Sequence, residues 1–181
     1  MLFRLTLICL LLLFGSFFSL SQMTGRSTPE AAAFLKPHLI KASPQVVRGA
    51  EVYDLNCAVC HGDSGLGFAE AKLAFPETER KCTQCHKSGN PKLIDWKTIR
   101  DNDMFDVGTP PALRGSERNP QFANALVLYT YLKATMPRYE PGRLSNDEYL
   151  DVTAFLLSIN GDLPRDINLD LGNAVKLELA N

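Results

Sequence analysis

The sequence feature that most limits what this chain can fold into is a five-residue pattern that occurs twice. Two cysteines separated by two residues are followed at once by a histidine at positions 57–61 (CAVCH) and again at positions 82–86 (CTQCH). The two copies start 25 residues apart, and the chain of 181 residues has only three histidines. The fold must therefore bring two thiols and one imidazole together at two points that are close in sequence.

Three kinds of chemistry use cysteines at this spacing. Cys57, Cys60, Cys82 and Cys85 come close to a four-cysteine zinc site, although their middle spacer of 21 residues is longer than the typical one of roughly 15–20. Two redox-active or disulfide-bonded pairs are a second interpretation. The third is haem c, in which both thiols form thioethers with the porphyrin and the following histidine binds the iron.

The histidines favour the third interpretation. A zinc site or a redox pair needs no histidine directly after the second cysteine, whereas attachment of haem c does. His61 and His86 both stand there, and His38 is the remaining histidine of the chain. We therefore predict two covalently bound haem c groups, with His61 on the first iron and His86 on the second.

An apolar run near the N-terminus suggests export. Residues 5–20 carry no charge, follow Arg4, contain Cys9 as an apolar filler, and lead into the small residue Ser21. The run is shorter than the roughly 20 residues of a membrane span. We predict that residues 1–21 are a secretory signal, with an uncleaved membrane anchor as the alternative. The expected location is the periplasm or the outer face of the cytoplasmic membrane.

The charge of the chain argues against one class of partner. Nineteen basic and twenty acidic residues give a formal net charge of −1, and no block of like charges occurs. Nucleic-acid binding needs a basic patch or arm, so it is not expected.

Local patterns predict helices on both sides of the cysteine motifs. Residues 44–53 carry apolar side chains at helical spacing and lead into Cys57. Ser145 and Glu148 form a capping box that opens a last helix, which ends at Asn160-Gly161. Its apolar stripe consists of Tyr149, Val152, Leu156 and Ile159.

A third helix is predicted to begin at Asn119-Pro120, to run through Phe122 and Tyr129, and to stop at Thr135. Met136 and Pro137 follow it, so Met136 is placed on the loop before the last helix. A methionine is usually core filler. On such a loop of a haem protein we interpret it as an iron ligand.

In the order of these elements the chain resembles the class I cytochrome c family. The resemblance covers roughly residues 45–161 and rests on CAVCHG, on TPPALRG at 109–115, on TMP at 135–137 and on the two outer helices. It implies an all-α fold whose first and last helices cross near Gly49. It also implies that the carbonyl of Pro110 or Pro111 orients His61, and that Met136 is the sixth ligand of the first iron.

The second motif departs from this resemblance, because a simple member of the family carries one. We predict that residues 66–108 are an insert folded around the second haem, being too short to bury a core alone. The sixth ligand of the second iron is Met104 or His38, or the position is vacant. Residues 22–44 are interpreted as a pre-domain linker. Residues 162–181 are interpreted as a tail that crosses the domain or binds a partner.

The predicted function is single-electron transfer between redox proteins, not enzymatic catalysis. The protein would act as a free carrier or as a subunit of a respiratory, photosynthetic or dehydrogenase complex. A rim of basic residues would support docking: Lys81, Lys87, Lys92, Arg114 and Arg118. The alternative is a dihaem enzyme, either a peroxidase or a thiosulfate-type oxidoreductase, with an open haem site. Only a faint likeness of residues 105–114 to a peroxidase segment supports it.

Overall fold

The structure of the protein, a computed structural model, describes residues 28–75, 110–116 and 122–179. These ranges contain seven α-helices: α1 (Pro29–Ile40), α2 (Pro44–Asn56), α3 (Ala58–His61), α4 (Phe68–Ala71), α5 (Ala125–Thr135), α6 (Asn146–Ile159) and α7 (Leu171–Ala174). A 3-10 turn at Lys72–Ala74 extends α4. No strand occurs in the described ranges, and the predicted all-α class is confirmed. None of their helices has the length and apolar character needed to cross a membrane.

The centre of the core is the crossing of α2 and α6. Each helix begins after a serine whose hydroxyl accepts a hydrogen bond from a backbone N–H in the first turn, Ser43 for α2 and Ser145 for α6. Glu148 completes the predicted capping box. The two axes approach closely at Gly49, where a Cβ atom would collide with the carbonyl of Asp151. The glycine is therefore required by the packing of α2 on α6.

Two side-chain contacts reinforce this crossing. The ring of Tyr53 packs on Phe155 with 5.1 Å between centroids, and both residues are almost fully buried. On the outer side, Arg48 donates to both carboxylate oxygens of Asp151, with Nε–Oδ2 at 2.7 Å and Nη2–Oδ1 at 3.0 Å. This bidentate pair raises the pKa of Arg48.

Helix α5 starts later than the sequence pattern predicts. It begins at Ala125 with Asn124 as its cap, so Phe122 lies outside the helix and the predicted passage through Phe122 is wrong. The proposed start at Asn119-Pro120 falls outside the described residues. The reason is tertiary: Asn124 forms an antiparallel bridge with Glu178 of the tail. The ring of Phe122 packs instead on Tyr131, 4.9 Å away between centroids.

The pre-domain segment contains a helix that the sequence analysis does not anticipate. The hydroxyl of Thr28 caps α1, and Pro29 occupies its first turn. Ala31 and Leu39 are buried against the domain. Thr28-Pro29-Glu30 is itself a helix-start pattern, so the sequence contains a signal for α1.

The C-terminal tail packs across the domain. The side-chain amide of Gln45 on α2 donates to the carbonyl of Leu169 at 2.8 Å, and its oxygen accepts from the Leu169 N–H at 2.7 Å. Further along, the backbone N–H of Ala125 donates to the carbonyl of Leu177 at 2.9 Å. Leu169 and Ala174 are buried as a result. Of the two placements predicted for the tail, the structure has the one across the domain.

Candidate haem site

One cavity brings together six of the predicted site residues. It has a volume of about 240 Å³ and lies between the end of α2, the segment that starts at Pro110, and the loop after α5. The predicted site residues on its walls are Cys57, Cys60, His61, Pro110, Pro111 and Met136. Most of the remaining wall is apolar, with Leu113, Leu128, Leu132, Leu144, Val152 and Leu156.

The thiols reach the cavity because the chain turns sharply between α2 and α3. Cys57 ends α2, its N–H donating to the carbonyl of Tyr53, and its own carbonyl accepts from the N–H groups of Cys60 and His61. Both cysteines are free thiols. Burial raises the pKa of Cys57 to about 12 and also raises the pKa of Cys60.

His61 is held as a neutral imidazole. Its side chain is buried, and burial lowers its pKa, although the hydrogen bond to the backbone opposes this effect. Nδ1 lies 2.9 Å from the carbonyl oxygen of Pro111. Because a carbonyl only accepts, Nδ1 carries the proton and Nε2 keeps a free lone pair for a metal. The carbonyl of Pro110 instead accepts from the N–H of Phe68 at 3.0 Å. Of the two prolines that the resemblance implies, Pro111 is therefore the one in contact with His61.

Met136 lies on the loop between α5 and α6, as the sequence predicts. Its N–H donates to the carbonyl of Leu132 at 2.8 Å and so ends α5. Its carbonyl accepts from the Tyr149 hydroxyl at 2.7 Å, and the same hydroxyl accepts from the N–H of Gly142 at 3.0 Å. The sequence pattern predicts Tyr149 only as part of an apolar stripe. A buried tyrosine hydroxyl usually needs a polar partner, and this was the available signal.

His38 does not lie in this cavity. Its Nε2 is 2.9 Å from the hydroxyl of Ser158, and its ring stacks on Phe34 with 5.9 Å between centroids. It lines a separate groove of about 650 Å³ between α1 and the segment after α6. Cys82, Cys85, His86 and Met104 lie outside the described residues. The ligand set of the second iron therefore stays a prediction.

Arg114 differs from its predicted role on a docking rim. Its guanidinium donates to the carbonyl and the hydroxyl of Ser64, at 2.8 and 3.0 Å, and lies 3.7 Å from the ring centre of Phe34. The side chain is therefore engaged in intramolecular contacts. The other four residues of the predicted rim lie outside the described residues.

The chemistry of the cavity fits a covalently attached haem. Two thiols, a neutral imidazole with a free nitrogen and a methionine line the same apolar space. By contrast, in the ranges that the structure describes, no group of three or more His, Cys, Asp or Glu side chains could hold a bare metal ion. Cys57 and Cys60 would hold the haem, and His61 and Met136 are the side chains suited to its iron.

Comparison with known proteins agrees with this chemistry. The sequence profile of the family described as Cytochrome c matches residues 46–160. The chain belongs to the cytochrome c family. Membership of the cytochrome c family implies covalently bound haem c and electron transfer. A search of curated proteins and a search of solved structures give no match.

Proposed function

We propose that the protein is an exported dihaem cytochrome c that passes single electrons between redox proteins. The observation that carries the proposal is the meeting of His61, oriented by Pro111, with both thiols of CAVCH and with Met136 in one cavity. The second motif, CTQCH at 82–86, supports a second haem. The apolar run at residues 5–20 supports export, in which case the haems would be loaded outside the cytoplasm.

The residues around the cavity suit electron transfer. Haem c, when bound, supplies the one-electron chemistry of its iron. Pro111 holds His61 in the tautomer that can bind iron, and a methionine as the other ligand favours a high reduction potential. Most of the cavity wall is apolar, so we expect few water molecules around a bound haem and little rearrangement of its surroundings when its charge changes. This tuning is what the chain itself contributes.

The cavity gives less support to the enzyme alternative. Peroxide chemistry at a haem uses a nearby acid–base group to move protons. Among the described residues that line the cavity, none is an aspartate or a glutamate. Met136 lines the same cavity and would supply a second protein ligand to the iron of a bound haem. We therefore propose electron transfer rather than peroxidase or thiosulfate-type chemistry for this haem.

The partners are proposed to be redox proteins that dock transiently. Leu55 and Val59 flank Cys57 and are 78% and 56% exposed, which gives a small apolar surface beside the thiols. Transient redox complexes use small interfaces. The protein would serve as a free carrier or as a subunit of a membrane oxidoreductase. Two haems attached 25 residues apart would form a short two-step path for the electron.

The mass of the purified protein tests the number of haems. We expect two covalently bound haems in the wild type. The double variant Cys57→Ala/Cys60→Ala should lose one haem, and Cys82→Ala/Cys85→Ala should lose the other. Cys9→Ala is the matched control and should lose none. A protein without haem, or one that carries only zinc, would overturn the proposal, and a single haem in the wild type would remove its dihaem part.

Optical spectra test the carrier role. Methionine bound to ferric haem gives a weak band at the red end of the visible spectrum, and we expect Met136→Leu to abolish it for the first haem. Met104→Leu is the companion variant, which should remove a second band only if Met104 binds the second iron. Spectra should also stay unchanged on addition of cyanide or peroxide. Rapid binding of either to the wild type would favour the enzyme alternative.

A further inference from the structure

A buried carboxylate near the haem cavity has no part in the functions described above. Glu70 lies on α4 and is 8% exposed. One oxygen accepts from the hydroxyl of Ser64 at 2.6 Å, and the other accepts from the N–H groups of Ser64 and Leu66 at 3.1 and 3.0 Å. Burial of a carboxylate is costly unless hydrogen bonds compensate it. Among the residues that the structure describes, this compensation comes from the loop of residues 62–67, directly after CAVCH.

The same loop is held from its other side by a cation. Arg114 donates from Nε to the carbonyl of Ser64 at 2.8 Å and from Nη2 to its hydroxyl at 3.0 Å. The hydroxyl of Ser64, which is almost fully buried, therefore accepts from Arg114 and donates to Glu70. It connects a guanidinium with a carboxylate, and hydrogen bonds to charged groups are stronger than those between neutral ones.

The loop in turn holds the segment that contains Pro111. The carbonyl of Gly65 accepts from the N–H groups of Leu113 and Arg114 at 2.8 and 3.1 Å. Gly67 has φ +78°, and a Cβ there would lie 2.8 Å from the carbonyl carbon of Pro111. Its N–H donates to the carbonyl of His61 at 2.7 Å. The backbone of the loop therefore contacts both His61 and the peptide of Pro111, whose carbonyl accepts the hydrogen bond from His61.

We propose that Glu70 is a positioning residue for the His61 ring. By fixing the shape of loop 62–67, it keeps the Pro111 carbonyl at hydrogen-bonding distance from Nδ1. That hydrogen bond makes an imidazole ligand more basic and stabilises the oxidised metal, so its weakening raises the reduction potential. The inference rests on the proposed function, since it concerns the imidazole that would bind the first iron.

The decisive variant is Glu70→Ala in the haem-loaded protein. The readout is the exchange of the His61 Nδ1 proton with solvent, followed by NMR in the reduced state. Loss of the carboxylate leaves buried donors unpaired, so we expect exchange to become about ten- to hundredfold faster. The reduction potential of the haem at 57–61 should rise. Glu70→Gln keeps an oxygen for the two N–H groups and should restore both properties almost fully.

Glu148→Ala is the matched control. The wild-type carboxylate of Glu148 also accepts a hydrogen bond from a backbone N–H, that of Ser145. It caps α6 outside the haem cavity. We expect this variant to lose stability without any change in His61 exchange or in potential. If Glu70→Ala behaves like Glu148→Ala, Glu70 serves only stability and the proposal is wrong.

Ser64→Ala keeps the proposal testable if Glu70→Ala does not fold. It removes the hydroxyl between Arg114 and Glu70 but leaves the backbone acceptor, so a smaller effect in the same direction is expected. Unchanged exchange and potential in folded Ser64→Ala, with Glu70→Ala unfolded, would also overturn the proposal. Protein mass distinguishes failure of the proposed function from failure of this inference. A wild type without haem at residues 57–61 overturns the proposed function. Unaltered exchange of the His61 proton in haem-loaded Glu70→Ala overturns only the role of Glu70.

Discussion

A hydrogen bond to a backbone carbonyl positions each of the two residues that are suited to the first iron. Nδ1 of His61 contacts the carbonyl of Pro111, and the carbonyl of Met136 accepts from the Tyr149 hydroxyl. Both bonds lie beside apolar walls, where an unpaired polar atom is costly. At the scale of the residue, the site therefore depends on atoms next to the iron ligands as much as on the ligands themselves.

The Tyr149 hydroxyl is expected to stabilise the Met136 loop. Tyr149→Phe removes one donor to Met136 and one acceptor for Gly142, and should lower the free energy of unfolding by about 1–2 kcal/mol. The methionine band of the ferric protein should also weaken. Tyr129→Phe is the control, because that hydroxyl makes a longer bond of 3.4 Å to Asn146. Equal losses of stability in both variants, with an unchanged methionine band in Tyr149→Phe, would contradict a role for Tyr149 at the site.

His38 is expected to make stability depend on pH. Burial, with a smaller contribution from the positive charge of Arg165, lowers its pKa below the ordinary histidine value of 6.5, and the hydrogen bond to Ser158 partly opposes the shift. As the pH falls, the unfolded chain therefore takes up the proton first. The stability that neutral His38 contributes is complete above about pH 6.5 and decreases as the pH falls towards the lower pKa of the folded state.

The measurement is the free energy of unfolding between about pH 5 and pH 8. His38→Gln retains a group that can bond to Ser158 but cannot titrate, so its stability should fall less at the acidic end than that of the wild type. Lys36→Gln changes a charge on the same helix and should follow the wild-type curve. Parallel curves for the wild type and His38→Gln would show that His38 is not the source of the dependence.

At the scale of the element, the crossing of α2 and α6 depends on one missing side chain. Gly49→Ala places a Cβ against the carbonyl of Asp151, which is rigid helical backbone. We expect it to lower the free energy of unfolding by about 2–3 kcal/mol, because the helices must separate. Gly172→Ala in α7 is the control, since the nearest atom to its Cβ would be a carboxylate oxygen of Asp170 at 3.2 Å. Chemical denaturation of both haem-loaded variants distinguishes them, and similar losses would contradict a specific crossing at Gly49.

At the scale of the whole molecule, hydrogen bonds attach the tail to α2 and to the start of α5. Gln45 satisfies both backbone groups of Leu169, and the segment near Leu177 pairs with the start of α5. Gln45→Ala should therefore lower the free energy of unfolding by about 2 kcal/mol, since it leaves buried N–H and C=O groups unpaired.

Asn173→Ala is the control for this prediction. The Asn173 amide also bonds to two backbone groups of the tail, at Asn168 and Asp170, but both bonds are exposed to solvent. Water can replace them, so the loss should be smaller. Limited proteolysis should cut the tail of Gln45→Ala sooner than that of Asn173→Ala. Equal cutting would mean that the tail is held mainly by its apolar contacts.

The local parts of this protein could be predicted from its sequence. The helix that leads into Cys57, the capping box at Ser145 and the loop position of Met136 all follow from patterns that span only a few residues. The cysteine motif likewise identifies its chemistry within five residues. Such features depend on propensity, capping and covalent spacing, which neighbouring residues determine largely by themselves.

The parts that join distant residues were decided only by the tertiary structure. The sequence leaves Pro110 and Pro111 open, and it misplaces the start of α5, because the loop after CAVCH and the tail make those choices through contacts across 50 or more residues. The roles of Tyr149 and Glu70 also become visible only once the hydroxyl and the carboxylate have partners. A sequence pattern shows which donor and acceptor groups are present. The packing of the helices determines which buried donor contacts which acceptor.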